Sequence, residues 1–111
     1  MRAGLVVALA VCGCAPKLRL DPERLPPARV GQSYHAIVTV REHRTPVGGV
    51  SASSLPAGLS LSHASFDETF AITGVPTLAG DFDVTIDGWC YGTNFAGQKL
   101  HVATSLRVLP P

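Results

Sequence analysis

Residues 54–86 are cut by turn chemistry every few positions. Leu55-Pro56-Ala57-Gly58, Gly74-Val75-Pro76-Thr77 and Ala79-Gly80 break up short apolar runs. A proline pre-sets φ near −65° and a glycine supplies a positive φ, so each break is a tight turn rather than the interior of a helix. What lies between the breaks alternates. Leu59 and Leu61 are separated by a serine. Phe70 and Ile72 fall on one side of a strand over residues 66–73. Phe82, Val84 and Ile86 alternate with Asp81, Asp83, Thr85 and Asp87. Period two is the mark of a half-buried strand.

The same pattern continues on either side. Tyr34, Ala36, Val38 and Val40 share one face of a strand over residues 30–41, with His35, Ile37, Thr39 and Arg41 on the other. Residues 42–49 read as a loop and 50–54 as a short strand. After a Gly-rich hairpin at residues 92–97, Leu100, Val102, Thr104, Leu106 and Val108 form the inner face of a last strand, which Pro110 and Pro111 stop. Eleven glycines and nine prolines in 111 residues, without a short repeat, mark frequent turns. About seven antiparallel strands, turns every few residues and no helical period predict an all-β sandwich, one domain over residues 30–111.

The first residues have a different character. Arg2 precedes an apolar run from Gly4 to Val11 with small residues behind it. These are the parts of a secretory signal, and the run is well short of the roughly 20 residues that span a bilayer. Its end, Leu9-Ala10-Val11-Cys12-Gly13-Cys14, resembles the lipobox of bacterial lipoproteins, with Cys12 where that family carries Ala, Ser or Thr. The resemblance implies a signal peptide over residues 1–13 and a diacylglyceryl group on Cys14. Ala15, in place of the Asp that retains such proteins at the inner membrane, implies sorting to the outer membrane in a Gram-negative source. Residues 14–29, rich in proline and charge, read as the lipidated N-terminus and a tether.

Over residues 26–109 a second likeness emerges. Gly31 and Tyr34, then Leu55-Pro56-Ala57-Gly58-Leu59, then Ile72 with Gly74-Val75-Pro76 and Ala79-Gly80, stand in an order similar to the cadherin-like, Ig-like repeats of bacterial surface proteins. That family implies an extracellular binding or spacer module. The pattern departs at residues 65–69 and again at residues 87–94, where the usual Asp-x-x-Gly turn is replaced by Asp87-Gly88-Trp89-Cys90-Tyr91-Gly92-Thr93-Asn94.

The second departure holds the candidate site. Alternation carried on from Ile86 turns Cys90 inward and Trp89 and Tyr91 outward, beside Asn94 and Phe95. Aromatics with Asn and Gly in a loop suit a protein or carbohydrate partner. With Cys12 removed and Cys14 lipidated, Cys90 is either a small core residue or, if a bulge at Gly88 exposes it, a redox-active or intermolecularly bonded thiol. Asp81, Asp83 and Asp87 read as a solvated face rather than a calcium site, which needs six to eight oxygens. His35, His43, His63 and His101 have no metal-ligand spacing, and the chain has no nucleophile elbow, phosphate loop or HExxH motif.

A net charge of +1 excludes a large basic field for nucleic acid. The chain is therefore expected to need no cofactor or metal and to be no enzyme. It reads as an envelope protein, anchored in the membrane through Cys14, that binds or spaces another component. An inhibitor or immunity-type lipoprotein acting through residues 88–97 is the alternative. A hydrolase, for instance with His63 and Asp67 as its dyad, is the remote one.

Overall fold

The computed structural model describes residues 17–111; the signal peptide and Cys14 lie outside them. Eight strands form two four-stranded sheets. They are β1 (Arg19–Asp21), β2 (Ala28–Arg29), β3 (Tyr34–Arg41), β4 (Val47–Ser53), β5 (Leu59–Ser62), β6 (Thr69–Gly74), β7 (Gly80–Cys90) and β8 (Lys99–Leu109). One sheet has the order β1-β3-β6-β5, the other β2-β8-β7-β4.

The alternating residues build the core as their spacing predicts. Val38, Ile72, Val84 and Leu106 are fully buried, and Tyr34, Ala36, Val40, Phe70, Ile86, Leu100 and Val108 nearly so. Each such aliphatic side chain contributes about 1.5–3 kcal/mol of transfer free energy. Burying one face of each sheet against the other is what a period-two sequence of this length can do to hide its apolar side.

The expected tether is part of the sandwich. Leu18, Leu20, Leu25 and Ala28 are buried. β1 pairs antiparallel with β3, Arg19 opposite Arg41, while β2 pairs parallel with β8, Ala28 opposite Val108. Prolines at 22, 26 and 27 remove ladder donors and keep either strand from lengthening, so the segment crosses from one sheet to the other between them. Hence eight strands instead of about seven, and one parallel pair among antiparallel ones. Tyr34 Oη donates to the Pro26 carbonyl at 2.7 Å and Thr104 Oγ1 to the Glu23 carbonyl at 2.9 Å, fixing the crossing.

The registers sort the loops into two ends. Residues 42–46, 63–68 and 91–98 lie at the end where β1 begins. Residues 30–33, 54–58 and 75–79 lie at the opposite end, with Leu109. Hydrogen bonds tie the first set: Phe66 N–H to the Val47 carbonyl joins the two sheets, while Val40 N–H to the Glu68 carbonyl and Thr45 Oγ1 to the Tyr91 carbonyl extend the pairing within each.

Candidate functional site

β7 keeps its alternation to its last residue. Trp89 stands opposite Lys99 on the outer face, and Cys90 turns inward opposite Val47. The register slip falls on β4 between Val47 and Gly49, not at Gly88, so the side assignments of β7 survive. Cys90 is 3% exposed, and burial pushes its thiol pKa up. Both facts oppose thiolate chemistry and an intermolecular disulfide in the folded chain. Cys90 packs as a core residue.

Trp89 lies across β4 on a floor made by Gly48 and Gly49. A Cβ on Gly48 would come within 2.1 Å of the indole and one on Gly49 within 2.7 Å. The Gly pair that reads in the sequence as loop punctuation is therefore strand, kept bare by the ring above it. Tyr91 meets Trp89 edge-on, centroids 4.9 Å apart at 80°, and stacks on Phe66 at 5.2 Å and 22°. Such pairs contribute about 0.5–1.5 kcal/mol beyond their buried area. The Tyr91 hydroxyl and Ser65 Oγ are hydrogen-bonded at 2.9 Å.

Phe66 enters the site unannounced. The strand expected over residues 66–73 starts three residues later, at Thr69. Phe66 sits in the preceding loop in the left-handed region, φ 77°, with its N–H on the Val47 carbonyl and its ring 67% exposed. Trp89 is 44% and Phe95 82% exposed. Asn94 is exposed on the same 91–98 loop as Phe95. Between Arg44, Tyr91 and Phe95 lies an open hollow of about 290 Å³. Trp89, Tyr91, Phe66 and, on the adjacent loop, Phe95 thus make an aromatic ledge at one end of the sandwich.

The ionisable groups are arranged as surface pairs. Arg107 Nε donates to Asp81 at 2.9 Å, and His101 Nδ1 is hydrogen-bonded to Asp87. Asp83 stands opposite Ser105. The three aspartates share an exposed face, and among the described residues no group of three or more His, Cys, Asp or Glu could hold a metal. His63 Nε2 donates to the backbone carbonyl of Asp67 at 2.8 Å, so the dyad imagined for a hydrolase is a loop-closing bond that does not engage the carboxylate. His43 pairs with Glu68.

No protein-family profile and no curated protein matches the chain. Solved structures do match in shape. The SrpA adhesin from Streptococcus sanguinis superposes with a TM-score of 0.63 at 12% identity, over 89% of this chain and 60% of that one. Domains 4 and 5 of the S-layer protein SbsC give 0.55 at 18%, over 85% and 51%. The ASH / PapD-like domain 7 of human CEP192 gives 0.54 at 16%, over 86% and 87%. The chain thus spans about three fifths of the adhesin and half of the S-layer fragment. The fold is an Ig-like, PapD-like β-sandwich.

Proposed function

We propose that this is a lipid-anchored cell-envelope protein whose Ig-like sandwich binds or spaces another envelope component, with the aromatic ledge as its contact surface and no catalytic role. The observation that carries the reading is the ledge itself. Three exposed rings, at Trp89, Phe66 and Phe95, are grouped at one end of a domain whose remaining outer faces are largely polar. Trp89 and Phe66, held by a glycine floor and by stacking on Tyr91, whose hydroxyl is bonded to Ser65, are what a recognition surface needs, since little of their side-chain entropy remains to be lost on contact. The adhesin and S-layer neighbours support a surface setting, and the lipobox-like end at Cys14 supports an anchor, in the outer membrane of a Gram-negative source.

Two experiments separate the parts. Cys14→Ala is expected to move the protein from the membrane to the soluble fraction; an unchanged membrane fraction overturns the anchor. A photo-crosslinking residue at Phe95 in living cells is expected to give adducts, to protein, glycan or phospholipid, that the same residue at Ser53 does not. Identical products from the two positions remove the ledge from the function.

A further inference from the structure

The ledge and the beginning of the folded chain lie at the same end. Arg19 opens β1 opposite Arg41, the last residue of β3, and the loops carrying Phe66 and Phe95 leave the sheets at that level. Cys14 precedes Arg19 by five residues. Five extended residues reach about 17 Å. The opposite end is farther by the length of β8, eleven residues, or about 36 Å. A lipid on Cys14 would therefore hold the ledge end, not the far end, against the bilayer.

The chemistry of that end suits such a surface. Its carboxylates are mostly taken up: Glu42 pairs with Arg19, Asp21 with Arg41 and Glu68 with His43. Among the described residues Lys17, Arg44 and Lys99 make no ion pair, against Asp67 alone of the acids there. With the histidines neutral the formal charges at this end balance, Lys17, Arg19, Arg41, Arg44 and Lys99 against Asp21, Glu42, Asp67, Glu68 and Asp87. What it offers phosphate headgroups is therefore three cations without ion pairs rather than a net positive field. Trp and Tyr place an apolar ring and a polar tip at the boundary between acyl chain and headgroup. At the far end the exposed large apolar residues are aliphatic, Val75 and Leu78.

Four rings with their flanking cations fall short of the 20–30 residues a side that a stable protein interface uses. A tether this short raises the effective concentration enough for a weak contact to be occupied.

We infer that the ledge rests on the bilayer that holds Cys14, with Phe66 and Phe95 in the acyl–headgroup boundary, Trp89 at headgroup level, and Lys17, Arg44 and Lys99 on the phosphates. The inference rests on the anchor proposed above and names the component that the ledge meets.

Trp89 is the only tryptophan in the chain, so its fluorescence reports this site alone. The full lipidated protein is reconstituted in phosphatidylethanolamine–phosphatidylglycerol vesicles, with bromine near the headgroup end of the acyl chains. Emission is expected to be quenched by the bromine. Iodide access is expected to fall about twofold or more relative to the Cys14→Ala chain in solution. Phe95→Asp, at a position too exposed to disturb the fold, should lower the bromine quenching with the circular dichroism unchanged.

If mass spectrometry finds the lipid on Cys14 but Trp89 stays open to iodide and untouched by bromine, the ledge does not meet the bilayer and the anchor stands. A soluble glycan or protein that shields Trp89 in those same vesicles would assign the ledge to that partner instead. A Cys14 without lipid removes the anchor and this inference together.

Discussion

Glycines 48, 49, 58 and 74 look alike in the sequence and are held by different constraints. At Gly48 the added methyl meets a side chain, the Trp89 ring, which can swing away. At Gly58 and Gly74 it meets backbone: a Cβ would lie 2.0 Å from the Val75 carbonyl and 2.0 Å from the Gly58 carbonyl, at φ 94° and 136°. Neither can yield without opening β5 from β6. Gly74→Ala should therefore cost about 3 kcal/mol or more in chemical denaturation. Gly48→Ala should cost less than about 1 kcal/mol while shifting the Trp89 emission, because the indole loses its floor.

Tyr34 supplies a pH test at the same scale. Burial pushes its pKa from 10.0 up to about 12. The neutral phenol is the form the fold favours. Its contribution is complete below pH 10 and is lost as the pH rises from 10 towards 12, where the unfolded chain gives up its proton first. Tyr34→Phe removes the bond to Pro26 and should cost about 1 kcal/mol at neutral pH. The gap between variant and wild type should close above pH 10 in urea melts.

Strands were legible wherever one face is buried and the other wet. The inner sets of β3, β7 and β8 follow from alternation alone, because a one-residue slip would put every apolar side chain in water. β1 shows the same alternation at Leu18 and Leu20, yet three prolines and many charges make its segment look like a linker. The sequence carries no sign that Leu25 and Ala28 close the gap between two sheets, since that depends on pairings 20 to 80 residues away. Leu20→Asp would bury a carboxylate beside Val40 and should destabilise by about 3 kcal/mol or more, read from the denaturation midpoint. A midpoint shift below about 0.5 kcal/mol would mean that β1 is dispensable. Phe66 escaped for a related reason: aromatic residues belong in strands by propensity, and only the left-handed turn closed on Val47 takes it out of β6.

The whole molecule has a polarity that neither sheet has alone. One end gathers the start of β1, the aromatic ledge and Lys17, Arg44 and Lys99; the other gathers Gly31, Leu78 and Pro110, whose carbonyl accepts from Arg29. Trp89, Tyr91, Asn94 and Phe95 could be singled out from the failed repeat pattern, but their shared end with Arg19 needs the registers. With the ledge on the bilayer, a cysteine introduced by Thr77→Cys at the far end should react with an impermeant maleimide at the same rate in vesicles as in solution. One introduced by Thr93→Cys should react several-fold more slowly in vesicles. Equal slowing at both positions would contradict that polarity.

The crossing of residues 22–27 also decides how the domain bears tension. A pull between Lys17 and Pro111 draws β1 along β3 and slides β2 against its parallel neighbour β8. Both contacts are strained lengthwise, so their hydrogen bonds must fail together rather than peel apart in turn. If Cys14 carries the proposed lipid, a grip at the far end would load that lipid through these same two shear contacts.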